Sequence, residues 1–231
     1  MRQHVNPLGE KYQRPVVLPS WETVYRHPHQ PLHVDIGCGK GLFLLEMATL
    51  YPNWNFLGLE IRQPLVKQSQ RRCQAAGLTN LHFIFCNANL AFRSLMASWP
   101  SPQPLRRVSI QFPDPWFKYR HHKRRVLQPA LVQDLAEFLP PAGEVVIQSD
   151  VEAVARQMRD RLAAFAGFTQ SPPNWLPESP FPAQTDRERV TLEQGLMIYR
   201  ASFIRSCDQG QGEPGQLSNS HFGKKLSNGQ E

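Results

Sequence analysis

The chain has 231 residues, of which 41% are hydrophobic and 19% are charged. This composition allows a packed core and excludes a largely disordered chain, and the length suits one α/β domain. Lys and Arg outnumber Asp and Glu by 26 to 19, which gives a formal net charge of +7. A basic balance of this kind favours polyanionic partners, although many soluble proteins share it.

No segment is typical of a membrane span, a secretory signal or a disulfide framework. The most apolar stretch, Leu42–Leu50, is short and contains Glu46, whereas a spanning helix needs about 20 apolar residues. The cysteines are Cys38, Cys73, Cys86 and Cys207. They have neither C-x-x-C nor zinc-finger spacing, so we expect reduced thiols. The sequence therefore predicts a cytoplasmic protein without a membrane partner.

Short apolar strands alternate with helices along most of the chain. The predicted strands are 32–36, 55–61, 81–86, 107–112 and 144–148. The predicted helices are 42–50, 63–76, 130–139 and 152–166, the second of which ends at Gly77. This alternation predicts an α/β fold with a doubly wound, mostly parallel sheet, and the apolar strands predict burial on both faces.

The ends of the chain differ from this central pattern. Residues 1–31 are expected to form an irregular N-terminal arm, and residues 32–205 the domain itself. Within the domain, residues 171–182 contain five prolines, which excludes a helix or a central strand there. A last apolar run follows at 196–204. The tail over 206–231 is rich in Gly, Gln, Ser and Asn, and we expect it to be disordered.

A glycine-rich loop separates the first predicted strand from the first helix. It reads Asp35-Ile-Gly-Cys-Gly-Lys-Gly41. Glycines in this place let the backbone approach a ligand, and ligands of open α/β sheets bind at the carboxyl ends of the strands. The spacing is G-x-G-x-G, and Leu42 stands where a dinucleotide-binding loop has its third glycine. An NAD-dependent dehydrogenase is therefore disfavoured.

Two polar residues end the next two predicted strands. Glu60 follows the loop by about 20 residues, and its carboxylate can accept both hydroxyls of a ribose. Asn87 ends the third strand, and its amide can donate and accept, as an adenine edge requires. Taken singly, the loop is equally typical of a tight turn, and Glu60 is typical of a solvated residue at the end of a strand. Together the three features indicate a nucleoside-containing cofactor.

The fourth predicted strand ends in Gln111-Phe-Pro-Asp-Pro-Trp116. The prolines fix the backbone on either side of Asp114, which should lie at the same sheet edge as the cofactor residues. The alternative is that Asp114 is an ordinary turn residue and Trp116 a core residue.

A basic segment follows directly, with five Lys or Arg between positions 118 and 125 and no acid. Its cations suit phosphates, and its aromatic residues suit a splayed base. If all five cations contacted phosphate, the slope of log affinity against log salt would approach roughly −4.

Two stretches resemble known methyltransferases. Val34–Gly41 is similar to the first motif of class I methyltransferases, which bind S-adenosyl-L-methionine. The run FPDPWFKYRHHKRRVLQP closely resembles the bacterial tRNA (guanine-N7-)-methyltransferase family, as do segments 56–61, 149–150 and 185–188. The resemblance covers about residues 30 to 205.

The resemblance implies a Rossmann-like fold, tRNA as partner and N7 of guanosine 46 in the variable loop as the target. The implied cofactor residues are Asp35, Gly37, Gly39, Glu60, Asn87 and Asp114. The implied substrate residues are Lys118, Asp150, Thr185 and Glu188, and Asp114 is the implied catalytic residue. No metal is implied. Asn87 replaces a more usual Asp, and the late segment reads TDRE instead of Thr-Lys-Phe-Glu, which leaves the contacts of Asp186 and Arg187 open.

Two other functions remain possible from the sequence. One is a class I methyltransferase for a protein or a small molecule, against which the basic segment argues. The other is an RNA-binding domain without catalysis, which the presence of the loop, Glu60 and Asp114 disfavours. The sequence leaves the oligomeric state open.

Overall fold

The computed structural model describes residues 5–100 and 102–206. Within these ranges seven strands form one sheet in the order β3-β2-β1-β4-β5-β7-β6. The strands are β1 (Leu32–Ile36), β2 (Asn55–Glu60), β3 (Leu81–Phe85), β4 (Leu105–Gln111), β5 (Glu144–Ser149), β6 (Phe168–Gln170) and β7 (Tyr199–Arg205). In the described residues, no helix is long and apolar enough to cross a membrane.

Helices connect the strands and cover both faces of the sheet. They are α1 (Trp21–Val24), α2 (Leu42–Leu50), α3 (Gln63–Ala75), α4 (Ala88–Ala97), α5 (Pro129–Phe138), α6 (Glu152–Ala163) and α7 (Asp186–Glu193). Two 3-10 turns cover Glu10–Tyr12 and Tyr119–Arg124. Gly77 follows α3 with a φ of 63°, the left-handed conformation expected of a residue that ends a helix.

The predicted α/β fold is confirmed. β1 pairs with β2 and β4 in parallel, and β3 and β5 extend the parallel sheet on either side. The last apolar run forms β7, which is antiparallel to β5 and carries the short β6 at the edge. The sheet is therefore mostly parallel, as predicted.

Three helices were absent from the sequence prediction, namely the short α1 and the longer α4 and α7. α4 begins at Asn87, whose side chain accepts a hydrogen bond from the Asn89 backbone at 3.2 Å. α7 begins at Thr185, whose hydroxyl accepts from the Glu188 backbone at 3.0 Å. Asn and Thr are preferred residues for capping the start of a helix. The sequence analysis had considered both residues only as ligands.

The two faces of the central strands differ in chemistry. Val34 and Ile36 point into a large apolar cluster with α1, α4, α5 and α6. The opposite face packs on α2 and α3 through a smaller apolar cluster. On β1, β4, β5 and β7 this second face also carries buried polar side chains, including Asp35, Gln111 and Gln148. Burial on both faces was predicted correctly, but the second face is not apolar throughout.

Part of the expected N-terminal arm packs into the core. Trp21 and Tyr25 are buried, and their rings lie 3.9 Å and 5.5 Å from the Trp99 ring. The helix α1 and the residue that follows it thus belong to the packed domain. The expected disordered tail lies outside the described residues, apart from Ser206.

Candidate active site

The glycine loop leaves β1 and enters α2 through three left-handed residues. Gly37, Gly39 and Gly41 have φ values of 84°, 58° and 70°. A Cβ on Gly41 would lie 2.6 Å from the Phe83 ring, so this position has no room for a side chain. Gly37 and Gly39 face open space instead. The loop therefore presents its backbone to an open volume while its far end packs tightly on β3.

Glu60 at the end of β2 is buried, and its carboxylate accepts four hydrogen bonds. The Gly39 backbone donates one at 2.8 Å, which ties the glycine loop to β2. Arg62 donates the rest, from its backbone at 2.9 Å, from Nε at 3.0 Å and from Nη2 at 3.3 Å. A carboxylate has about four acceptor sites, so Arg62 and the loop together use them all.

Arg62 also lies within the electrostatic reach of Asp114. Burial by itself would lower the pKa of the Arg62 guanidinium, but its hydrogen bonds to Glu60 and the charges of Glu60 and Asp114 raise that pKa above its usual value. Arg62 thus links two carboxylates that the sequence analysis assigned to the cofactor site. Arg62 is not among the residues predicted for this site, although it stands two residues after Glu60.

One pocket brings together residues from the ends of three successive strands and from the loop after β4. Its lining includes Gly37, Glu60, Asn87, Asp114 and Trp116. Its cavity volume of about 120 Å³ is below the range of ~300–1,000 Å³ typical of ligand pockets. The N-terminal segment narrows it, because Val5 and Pro7 form part of the wall and the Asn87 amide donates to the Pro7 carbonyl at 3.2 Å.

A second, larger cleft is also lined by the N-terminal segment. Its volume is about 870 Å³, and it shares Val5, Arg62, Cys86 and Asn87 with the first pocket. The two pockets therefore adjoin each other at these four residues.

The loop that carries Asp114 has a strained backbone. Phe112 and Trp116 have φ values of 47° and 43°, which non-glycine residues rarely adopt. Such outliers persist only where the surrounding structure enforces them, and they concentrate at functional sites. Here they turn the chain sharply on both sides of Asp114 and hold this residue at the pocket.

Asp35 is buried on β1 and does not line the pocket. It is 3% exposed, and its Oδ1 accepts from Ser109 Oγ at 2.6 Å and from Gln111 Nε2 at 3.1 Å. Burial raises the pKa of Asp35 to about 6, against the opposing effect of these two hydrogen bonds. The structure thus places Asp35 inside the sheet on β1, the strand from which the glycine loop leaves, and its role at the cofactor stays a prediction.

Some cations of the basic segment are exposed to solvent, whereas others are partly or fully buried. Lys118, Arg120 and Lys123 are exposed, beside the exposed rings of Phe117 and Tyr119. In contrast, the Arg124 guanidinium lies 5.0 Å from the centre of the Trp116 ring. Arg125 is buried and donates to the Pro115 carbonyl at 2.8 Å and to Gln157 at 2.7 Å.

Contact of all five cations with phosphate was an upper bound from the sequence, and the burial of Arg125 brings the number below it. Arg125 is buried, and it holds the Asp114 loop from inside the protein through the Pro115 carbonyl. The three exposed cations alone support a slope of roughly −2 to −3.

The other predicted substrate residues cluster around the first turn of α7. Arg187 forms an ion pair with Asp150, and Asp186 pairs with Lys40 of the glycine loop at 3.3 Å. The two residues that the resemblance left open thus join α7 to the end of β5 and to the glycine loop. The Thr185 hydroxyl caps the helix.

Glu188 is not accessible to a substrate. It is 0% exposed, and its Oε1 accepts from Arg200 Nη2 at 2.9 Å. Its Oε2 accepts from Gln148 Nε2 at 3.2 Å. Direct substrate contact, as implied for Glu188 by resemblance, would require α7 to open. The structure therefore separates the predicted residues into a pocket group and an α7 group, joined by Lys40 and Asp186.

Comparisons with known proteins show the family to which the chain is similar. Residues 29–201 match a family model with the description "Putative methyltransferase". A tRNA (guanine-N(7)-)-methyltransferase of Nostoc sp. is 53% identical over 207 residues, which cover 89% of this chain and 94% of the relative. An enzyme of the same description from Thermosynechococcus vestitus is 51% identical over 205 residues, with coverage of 89% and 94%.

Solved structures support the fold alone. The 16S rRNA methyltransferase KamB aligns with a TM-score of 0.59 at 16% identity, over 83% of this chain and 95% of that one. A precorrin-6y C5,15-methyltransferase of Geobacter metallireducens aligns with a TM-score of 0.50 at 12% identity, over 80% and 85% of the two chains.

Proposed function

The chain belongs to the family of tRNA (guanine-N7)-methyltransferases, and we propose that it methylates N7 of guanosine 46 in the tRNA variable loop with S-adenosyl-L-methionine. The observation that carries the proposal is the pocket in which Glu60, Asn87 and Asp114 meet beside the open glycine backbone. An exposed basic segment begins four residues after Asp114 at Lys118. A nucleoside-binding pocket and a phosphate-binding surface thus adjoin.

The residues around the pocket fit S-adenosylmethionine, which supplies an activated methyl group on a sulfonium. Gly37 and Gly39 leave space for close approach, and Asn87 offers a donor and an acceptor to the adenine edge. The Glu60 carboxylate would accept the ribose hydroxyls. Because its acceptor sites are full, we expect the Arg62 guanidinium to leave Glu60 when the ribose binds. Val5 and Pro7 would shift outward to enlarge the cavity.

Asp114 is the residue to which we assign catalysis. Guanine N7 carries an exposed lone pair, so it can accept the methyl group without first losing a proton. The enzyme then needs alignment and electrostatic stabilisation more than a strong base. Positive charge develops on the base during transfer, and a carboxylate at the pocket would stabilise that charge or orient the base through its N–H groups.

The tRNA would lie across the basic segment and the start of α7. Lys118 is exposed next to the pocket loop and would contact a phosphate. The Asp150 carboxylate would accept from guanine N–H donors in place of Arg187, its present partner. Thr185 lies on the same turn and would add a hydroxyl contact. Glu188 would act from inside the protein, because its carboxylate is already bound by Arg200.

The decisive experiment measures transfer of labelled methyl from S-adenosylmethionine to unmodified tRNA, followed by mapping of the modified nucleotide. We expect N7-methylguanosine at position 46. The matched control is the same tRNA with adenosine at position 46, which should accept no label. Equal labelling of both substrates would refute the position, and labelling of protein alone would favour the alternative substrate class.

A further inference from the structure

The polar face of the sheet contains a continuous row of paired side chains. The register places Asp35 of β1 opposite Ser109 of β4, Gln111 of β4 opposite Gln148 of β5, and Gln148 opposite Arg200 of β7. The row therefore crosses four neighbouring strands, which belong to distant parts of the sequence. Asp35, Gln111, Gln148 and Arg200 are each more than nine-tenths buried.

Hydrogen bonds along the row run in one direction. Arg200 Nε donates to Gln148 Oε1 at 3.0 Å, Gln148 Nε2 donates to Gln111 Oε1 at 2.7 Å, and Gln111 Nε2 donates to Asp35 Oδ1 at 3.1 Å. Arginine can only donate, and an ionised carboxylate can only accept. The charged residues at the two ends therefore fix how both glutamine amides are turned.

Both ends of the row carry parts of the active site. Asp35 is separated from the Gly37–Gly41 loop by Ile36 alone, and its charge acts on the Cys38 thiol of that loop. At the other end, Glu188 binds Arg200 at 2.9 Å and Gln148 at 3.2 Å, and it belongs to the first turn of α7. Its neighbour Arg187 holds the Asp150 carboxylate. The row thus joins the cofactor loop to the proposed guanine-binding turn.

We propose that Glu188 and Arg200 are positioning residues for methyl transfer, acting through Gln148 and Gln111 on Asp35 and the glycine loop. The proposal rests on the function proposed above and gives Glu188 a role that its burial allows. Partly satisfied buried polar networks are costly, whereas complete ones impose a single arrangement. Here that arrangement keeps the cofactor loop and α7 in a fixed position relative to each other.

The first test variant removes both charges at the far end of the row, as Glu188→Leu with Arg200→Met. Replacing a buried ion pair by apolar residues of similar volume is often tolerated, so this variant should fold, and its net charge is unchanged. Gln148 then loses the donor that fixes its amide, and the support of Asp35 weakens. We expect the Asp35 titration, followed by the carboxyl carbon in NMR without any ligand, to move upward by about half a pH unit. We expect kcat on tRNA to fall about tenfold at a similar KM.

The surroundings of Asp35 make this titration a specific measurement. Ser109 and Gln111 donate to it from β4, and His33 reaches it only through Ser109, at 2.9 Å from that hydroxyl. The Glu60 carboxylate raises its pKa from β2, and the Cys38 thiol faces it from the glycine loop. None of these groups is altered in the test variant. A purely structural loss would lower stability without moving the Asp35 titration.

Two further variants complete the experiment. Gln111→Met breaks the row next to Asp35 and leaves Glu188 paired with Arg200, so it should shift the titration upward even if the double variant does not fold. Ser202→Ala is the matched control, because Ser202 is equally buried on β7 but donates to Glu144, at 2.6 Å, outside the row. It should leave both kcat and the Asp35 titration unchanged.

An unchanged Asp35 titration in the folded row variants would overturn the proposal. So would a shift of the same size in Ser202→Ala. A wild-type protein that transfers no methyl group to tRNA would refute the proposed function instead. The titration, which needs no substrate, would still decide whether the row acts on Asp35.

Discussion

The two faces of the central sheet differ in the interactions that their side chains make, although both faces are buried. On one face Val34, Ile110 and Phe203 pack into the large apolar cluster. On the other face the same strands carry Asp35, Gln111 and polar partners from β5 and β7. Apolar burial is non-directional and gives stability, whereas a polar row must satisfy every donor and acceptor. The comparison teaches that one face of the sheet contributes apolar burial alone, whereas the other adds a directional polar row to a smaller apolar cluster.

The largest expected effect comes from the apolar face. Phe203 on β7 is fully buried, so Phe203→Ala should lower the free energy of unfolding by about 3–5 kcal/mol. Its neighbour Ser202 points to the other face, and Ser202→Ala should cost only about 1 kcal/mol. Urea denaturation of both variants measures the contrast. Equal losses would show that the two faces contribute alike to stability.

The next effect is a pH dependence of stability on the polar face. The pKa of folded Asp35 is about 6, above that of an unfolded Asp, so the folded state binds the proton more tightly. The stability contributed by this proton is present below about pH 4 and is lost as pH rises towards 6. The free energy of unfolding of Asp35→Asn minus that of the wild type should therefore be roughly 3 kcal/mol larger above pH 6 than at pH 4. Denaturation curves at several pH values measure it, and parallel pH profiles would contradict the expectation.

A third effect belongs to catalysis rather than stability. Asp114→Ala should lower kcat by about 100-fold, the range seen when one preorganised electrostatic group is removed. The free energy of unfolding should change little, since Asp114 lies at the pocket wall. Asp160→Ala, which removes an exposed carboxylate from α6, is the control for loss of a negative charge. Single-turnover methyl transfer to tRNA gives the rates, and near-normal turnover would remove Asp114 from the catalytic role.

The smallest effect concerns the surface beside the pocket. Replacing Lys118, Arg120 and Lys123 by alanine should reduce the salt slope of tRNA binding by about 2–3 and leave stability unchanged. Lys67→Ala with Arg71→Ala, two exposed cations of α3, controls for a general loss of charge. Binding titrations at several salt concentrations measure the slope. A similar reduction in the α3 variant would mean that the basic segment has no special place in tRNA binding.

Local patterns in the sequence were enough for the parallel strands, the glycine loop and the pocket residues at the strand ends. Each of these depends on periodicity or on residues that are close along the chain. Asn87 and Thr185 show a limit of this reasoning, because each was considered as a ligand while its role in starting a helix was overlooked. The ligand roles themselves stay predictions.

The polar row could not be predicted, because it depends on pairing between distant segments. Gln148 and Arg200 are 52 residues apart, and only the antiparallel register of β7 brings them together. The burial of Glu188 likewise depends on where α7 lies. The one available signal was the presence of polar residues inside otherwise apolar strands, as in the RVSIQF and EVVIQ segments.

The left-handed backbone at Phe112 and Trp116 has a consequence for how often the enzyme must reorganise. Because the bend around Asp114 forms during folding, the conformational entropy of this backbone segment is lost at that stage and not at substrate binding. A loop that had to bend anew for each tRNA would repeat that loss at every turnover. Arg125, which donates to the Pro115 carbonyl, thus holds a bend that is already formed when the substrate binds.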